Sequence, residues 1–413
     1  MKTAIFNPRI GGPLCIRCTL AAAFACIAIV VSPAAHGQTL TILHTFTGAD
    51  GAGPMGNLSV NGSTLYGTTS GGGSSGDGTI FSMPTVGGNP TTLFSFDGAS
   101  GVSPTSHLVL SNSTLYGATA SGGSNGCGTV FAEPTTGGTP STLYSFSGPD
   151  GAGPKGLVLG GSTLYGMTEG GGSNSLGTIY SIPTAGGNTT TLFSFDSING
   201  QNPTGRLLLS GSTLYGTTTQ GGNNNGGIIF AESTRGGTPN TLFSFDGTHG
   251  TSPCGSLALI GSTLYGMTNS GGVNGDGTIF AEPVTGGTPT ILYSFSGPDG
   301  AYPQGGLTEF GSALFGLTVG GGLNDDGTMF SINADGTGFQ TLYSFSGADG
   351  ASPHGDLALS GSTLYGMTNA GGTLNDGVIF AYNPAPEASS FAMLASAAVT
   401  GLIGWGWRQW RRA

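Results

Sequence analysis

Two pentapeptides, Gly72-Gly-Ser-Ser-Gly76 and Gly122-Gly-Ser-Asn-Gly126, have the Gly-x-Ser-x-Gly spacing that presents a nucleophilic serine on a sharp strand-to-helix turn. That chemistry also needs a helix behind the serine and a histidine base beside it. Both pentapeptides sit in Gly-rich loops, and His44, His107, His249 and His354 are scattered along the chain without metal-ligand spacing. No Gly-Lys-Ser/Thr offers a phosphate cradle. These motifs assign no catalytic residue and no metal ligand.

Calcium is the more serious cofactor candidate, because loops such as Gly271-Gly-Val-Asn-Gly-Asp276-Gly end in Asp-Gly and carboxylate oxygens suit Ca²⁺. The Asp recurs at 77, 276, 326 and 376, but Cys127, Leu176 and Gly226 stand at the matching positions elsewhere. A ligand that three copies dispense with is better read as a turn residue, which Asp before Gly commonly is. The expectation is no cofactor, with Ca²⁺ as the alternative.

A third pattern concerns recognition. A proline that recurs about every fifty residues is followed by a changing one: Met55, Thr105, Lys155, Thr204, Cys254, Gln304 and His354. A constant frame presenting different side chains is what a binding surface requires, since loops on a rigid scaffold carry function. Drift at an exposed position would leave the same trace. Met55, Lys155, Gln304 and His354 are the binding candidates.

The elements that would hold these residues are repeated seven times. Ser63-Thr-Leu-Tyr-Gly67 returns so that the central aromatic falls at 66, 116, 165, 215, 265, 315 and 365, and the Phe of Leu-x-x-Phe falls at 46, 96, 146, 195, 245, 295 and 345. Each copy reads as four short strands. In the first, Leu58–Val60 and Ser63–Thr69 flank the tight turn Asn61-Gly62, and Gly78–Met83 and Thr91–Phe96 form a second pair. The intervening Gly-rich loop cannot be a strand or helix interior. Four antiparallel strands in each of seven units specify an all-β, seven-bladed β-propeller, because each sheet has an apolar face that only radial stacking can bury. Thr39–Phe46 matches a fourth strand with no blade, while the last unit stops after its third strand, Gly377–Tyr382. Pairing them predicts a one-plus-three closure that removes an open edge.

Charge narrows the partners. The chain carries 9 Lys and Arg against 20 Asp and Glu, and only Lys155, Arg206 and Arg235 of the cations fall between the terminal segments. So acidic a body repels phosphate backbones, and nucleic acid is not an expected partner.

The two ends read as addresses. Residues 1–37 have the build of a secretory signal: basic residues through Arg17, the apolar run Cys18–Val31 and a small-residue stretch ending at Gly37; an uncleaved membrane anchor is the alternative. Cys15, Cys18 and Cys26 leave with it, so Cys127 and Cys254 form no disulfide framework. After the propeller at 38–383, residues 384–390 form a linker containing Pro386-Glu387, residues 391–407 carry no charge, and 408–413 hold Arg408, Arg411 and Arg412. The uncharged run would span a bilayer with tryptophans at the interface and its arginines on the cytoplasmic side.

Two resemblances follow from these residues. The Gly doublets, as at Gly122-Gly123 and Gly271-Gly272, resemble Kelch blades, although no repeat here has the Kelch Trp. The copies of Gly-Ser-Thr-Leu-Tyr-Gly, Gly-Gly, Gly-Thr-Ile-Phe and Leu-Tyr-Ser-Phe over residues 40–382 are more similar to the GloVer tandem repeat of choice-of-anchor proteins. The tail resembles a PEP-CTERM sorting signal through Pro386 and Glu387, with Ala388 departing from its second Pro. These resemblances imply an exported propeller held at the cell envelope or outer surface, anchored through its tail or released by an exosortase-like enzyme. The expected function is a surface-attached or matrix-associated binding or structural repeat protein with an extracellular ligand such as a glycan or exopolysaccharide. A lyase or hydrolase acting on extracellular polysaccharide is the alternative.

The tail generates a first test. Truncation after Pro384 should release a folded protein into the periplasm or medium, while the full-length chain fractionates with the envelope. Replacing Pro386 and Glu387 by Ala should leave a precursor heavier by about 3 kDa on mass spectrometry if the motif directs cleavage. Equal release of both chains would remove the anchor.

Overall fold

The computed structural model describes residues 40–384, and all regular structure among them is β-strand. The expected signal segment, Pro386, Glu387, the apolar run 391–407 and the basic end lie outside the described residues. Among the described residues no helix is long and apolar enough to cross a membrane.

Seven antiparallel sheets follow one another, each with its strands in chain order. The first blade contains Ser59–Asn61, Thr64–Thr69, Thr79–Pro84 and Thr91–Ser95, within one or two residues of the bounds read from the sequence. Two blades add a short fifth strand, Ala152–Pro154 and Thr251–Pro253, where most others have an isolated bridge. The seventh sheet is composite: Leu40–Thr45 pairs antiparallel with Val378–Tyr382, and so supplies the fourth strand of the last blade.

The reason for this stacking lies in the aromatic markers. Phe46, Phe96, Phe146, Phe195, Phe245, Phe295 and Phe345 end the fourth strands and are fully buried. Each meets an aromatic ring on the third strand of the next blade, from Phe46 on Phe81 to Phe345 on Phe380, with centroids 5.0–5.6 Å apart in edge-on or tilted contacts. Such pairs add to the burial of their area, and the geometry holds adjacent sheets at one spacing. That third-strand ring lies on the glycine of its own second strand. Gly67 is in register with Phe81, and a Cβ there would stand 2.5 Å from Phe81 Cζ. The Gly of Leu-Tyr-Gly is thus required by the ring that covers it.

Closure is set by the same contacts. The Phe46 amide donates to the Gly377 carbonyl at 3.0 Å, as Phe96 does to Gly78. Deleting residues 40–46 should therefore expose the edge of Val378–Tyr382 and remove the Phe46 ring, turning a soluble species into an aggregating one on size-exclusion chromatography. A deletion variant with unchanged melting temperature and elution would refute this role.

Candidate functional site

The crossovers between blades build the site from backbone outward. The residue before the recurring proline has a left-handed backbone in every blade: Gly53, Ser103, Gly153, Asn202, Ser252, Tyr302 and Ser352 have φ of 53–66°. Its amide donates to a carbonyl of the preceding blade's Gly-rich loop, as Ser103 to Asp77 and Tyr302 to Asp276, both 2.9 Å. The position that alternates among Asp, Cys, Leu and Gly therefore serves through its carbonyl, which every residue possesses. The proline then covers the next glycine of that loop. A Cβ on Gly78 would stand 2.6 Å from Pro104 Cδ, and Gly377 stands in the same relation to Pro54 across the ring closure.

This clasp aims the residue after the proline at the propeller axis. Met55, Thr105, Lys155, Thr204, Cys254, Gln304 and His354 all line one cavity of about 360 Å³, together with Thr219, Ser252 and Asn269. All four binding candidates are brought together, and the other three variable positions join them. Positions some fifty residues apart become neighbours because each blade contributes one.

The residues lining the cavity are mostly of polar type but nearly uncharged. Lys155 Nζ pairs with Glu169 Oε2 at 2.7 Å. His354 Nδ1–H donates to the Ser352 carbonyl at 2.8 Å, and burial holds its pKa below the ordinary imidazole value, leaving a neutral ring. Burial pushes the Cys254 thiol up to about 12, and its sulfur faces the Pro303 carbonyl. A thiol held so far from its thiolate is a poor nucleophile. Among the described residues no three His, Cys, Asp or Glu side chains stand close enough to share a metal ion.

Other candidates are engaged elsewhere. His44 Nε2 donates to Asp50 Oδ2 (2.8 Å), whose other oxygen accepts the Thr47 amide; Tyr293 donates to Asp299 at 2.6 Å in the matching turn. Several loop acids thus cap crossover turns. The serines of both Gly-x-Ser-x-Gly matches donate from Oγ to Ser95 and Ser145, with no helix behind them. Tyr302 was not among the expected site residues. It is 46% exposed, precedes Pro303 and Gln304, and occupies the position at which Ser252 lines the cavity. An aromatic residue with φ near 57° costs about 1–2 kcal/mol relative to an unstrained backbone. Comparison of the seven copies reveals it, since the others have only Gly, Ser or Asn there.

A second group escapes any pattern of motifs. Glu133, Glu232 and Glu282 occupy the third-strand position held by Met83, Ile182, Ile332 and Tyr382 in the remaining blades, and all three are buried. Both carboxyl oxygens of Glu133 and Glu282 and one of Glu232 lack a hydrogen-bond partner. Burial pushes Glu133 and Glu282 up to about 7 and raises Glu232. These groups lie between blades, away from the lining of the cavity. Below about pH 4.5 they are protonated in folded and unfolded chains alike. Between there and about pH 7 the unfolded chain ionises first, so stability falls with rising pH and then levels off. The combined variant Glu133→Met, Glu232→Ile and Glu282→Ile should flatten that slope and raise the melting temperature at pH 8 by at least about 3 °C in scanning calorimetry. An unchanged pH profile would show that these carboxyls carry no such penalty.

Comparison with known proteins places the architecture. A puromycin-hydrolyzing peptidase of Mycobacterium tuberculosis is similar at 14% identity and a TM-score of 0.52, over 79% of this chain and 52% of its own; the chain spans about half its length. YCF48 from Cyanidioschyzon merolae is similar at 11% identity and a TM-score of 0.53, over 84% and 99% of the two chains. An oligogalacturonate lyase in complex with manganese is similar at 14% identity and a TM-score of 0.56, over 86% and 95%. At such identities the likeness is one of fold. No curated protein matches the chain in sequence. The model of the Gloeobacter/Verrucomicrobia repeat matches residues 28–162, 134–318 and 260–401, a span that takes in all seven blades, and the chain therefore belongs to that repeat family.

Proposed function

We propose that the protein is an exported, surface-attached or matrix-associated binding module whose ligand site is the cavity at the channel mouth. The observation that carries this reading is the convergence there of a crossover position that takes six residue types over seven blades, on a clasp that is the same in every blade. The lining supports a neutral, hydroxyl-rich ligand such as a glycan or exopolysaccharide. Thr105, Thr204, Gln304, Thr219 and Asn269 offer hydrogen bonds, while the Lys155 charge is matched by Glu169. Tyr302, two residues before Gln304 and outside the cavity lining, offers an exposed aromatic face to a sugar ring reaching out of the cavity, and its unfavourable backbone is an observed outlier of the kind that accompanies function. Export and envelope attachment rest on the terminal segments, through Pro386 and Glu387 for an exosortase-like enzyme and residues 391–407 for the membrane.

A polysaccharide lyase or hydrolase on the same face is the second reading, and the lyase among the structural relatives supports it only at the level of fold. Such an enzyme needs a converging acid, base or cation at the mouth. The groups there are a thiol raised by burial, a cation paired with its own carboxylate and a histidine turned onto a backbone carbonyl, which favours binding over catalysis.

The full chain should bind a restricted set of neutral glycans on an array. Tyr302→Asn, which copies the fourth blade's Asn202, should weaken that binding by at least about tenfold and raise the melting temperature. Unchanged affinity in this variant would remove Tyr302 from the site, and turnover of the bound glycan would favour the enzyme.

A further inference from the structure

Two residues beyond the variable position, six blades carry a second set of residues round the ring, Asn57, His107, Arg206, Ser256, Gly306 and Asp356, of which His107 and Arg206 line a cavity. There are six members because the third blade lacks one. Its proline is followed by Lys155-Gly156-Leu157, whereas the fourth reads Thr204-Gly205-Arg206-Leu207. This missing residue is the single 49-residue spacing in a repeat of 50.

The two sides of that ring differ. On one side Asp356 accepts the Gly306 amide, and the Asp356 amide donates to Asn57 Oδ1 at 2.7 Å, so neighbouring blades are tied together. On the other, the Arg206 stem lies against Gly156, in the space a longer third blade would fill. Arg206 Nε and His107 Nδ1 are both buried without a hydrogen-bond partner, and no carboxylate pairs with Arg206 among the described residues. Burial, and then the Arg206 guanidinium, holds His107 down at about 3, so its ring is neutral. Both residues line a cavity of about 420 Å³ whose remaining wall is almost wholly aliphatic, with Val60, Leu110, Leu159 and Leu359 nearest the hairpin turns. Asp356 does not line it. Aliphatic side chains beside a few convergent polar groups, one of them a cation with no ion-pair partner among the described residues, are features of a small-ligand site.

We propose that this end of the channel is a second binding site, independent of the mouth, for a small amphiphile with one carboxylate. The carboxylate would take Arg206 as its charge-assisted donor and His107 as a neutral hydrogen-bond partner, with the hydrocarbon body against Val60, Leu110, Leu159 and Leu359. One unpaired guanidinium suits a single negative charge, and the aliphatic wall excludes a hydrated polyanion.

Octanoate titrated into the full chain by isothermal calorimetry is the test. Octanoate should bind one-to-one, and octylammonium, of the same length and opposite charge, should not. Arg206→Met should weaken octanoate by at least about tenfold, the loss of one charge-assisted contact. Inserting an Asn after Gly156, which gives the third blade a residue at the position the first blade fills with Asn57, should fill the gap and abolish binding while Arg206 stays in place. No octanoate binding at millimolar concentration, equal binding of octylammonium, or full affinity in either variant would overturn the second site. None of these results would bear on the mouth, whose ligand is neutral and read on a different assay.

Discussion

The edge-on contact between a fourth-strand Phe and the third-strand aromatic of the next blade is the interaction on which the rest depends. A four-stranded sheet of about fifty residues has an apolar face it cannot bury alone, and these rings are fully buried among aliphatic side chains and a second-strand Tyr. With Phe46 on Phe81 and Phe345 on Phe380, the contact runs unbroken through the join between the first strand and the last blade. The glycine beneath each ring and the proline over each loop glycine follow from it, because sheets held this close leave no room for a Cβ.

A frame that repeats so closely frees other positions to differ. The clasp at each crossover uses an amide, a carbonyl and a proline ring, so neither the loop residue supplying the carbonyl nor the residue after the proline is constrained by it. The first kind of freedom produces Asp77, Cys127, Leu176 and Gly226 at one turn. The second produces the mixed lining of the mouth. Binding diversity here is a consequence of structural work being assigned to backbone.

Departures from the repeat are correspondingly informative. Glu133, Glu232 and Glu282 put carboxyls with one or both oxygens lacking a hydrogen-bond partner where sister blades have aliphatic or aromatic groups, which costs stability once they ionise. The residue missing from the third blade leaves Arg206 and His107 facing a cavity rather than a neighbour. Tyr302 holds a backbone conformation that its counterparts reach as Gly, Ser or Asn. Each is a local rule broken inside a framework that keeps the rule elsewhere, and such sites are where function or strain is expected.

Much of this was legible in the chain itself. The period, the two aromatic markers and the stray Thr39–Phe46 strand determined seven blades and the pairing of the ends, because local pattern and the need to bury one face admit few other solutions. The repeat also marked Met55, Lys155, Gln304 and His354 as variable positions on a constant frame. It did not reveal that they meet, since convergence on one axis is a property of the closed ring and not of any fifty-residue segment. Nor did it show which charges would be matched: Lys155 finds Glu169, while Arg206 and the three buried glutamates find no such partner, and that depends on distances between residues far apart in the chain. Sequence determined the unit and its count, where the governing contacts are periodic; tertiary structure alone decided the sites, where side chains from different blades must share one space.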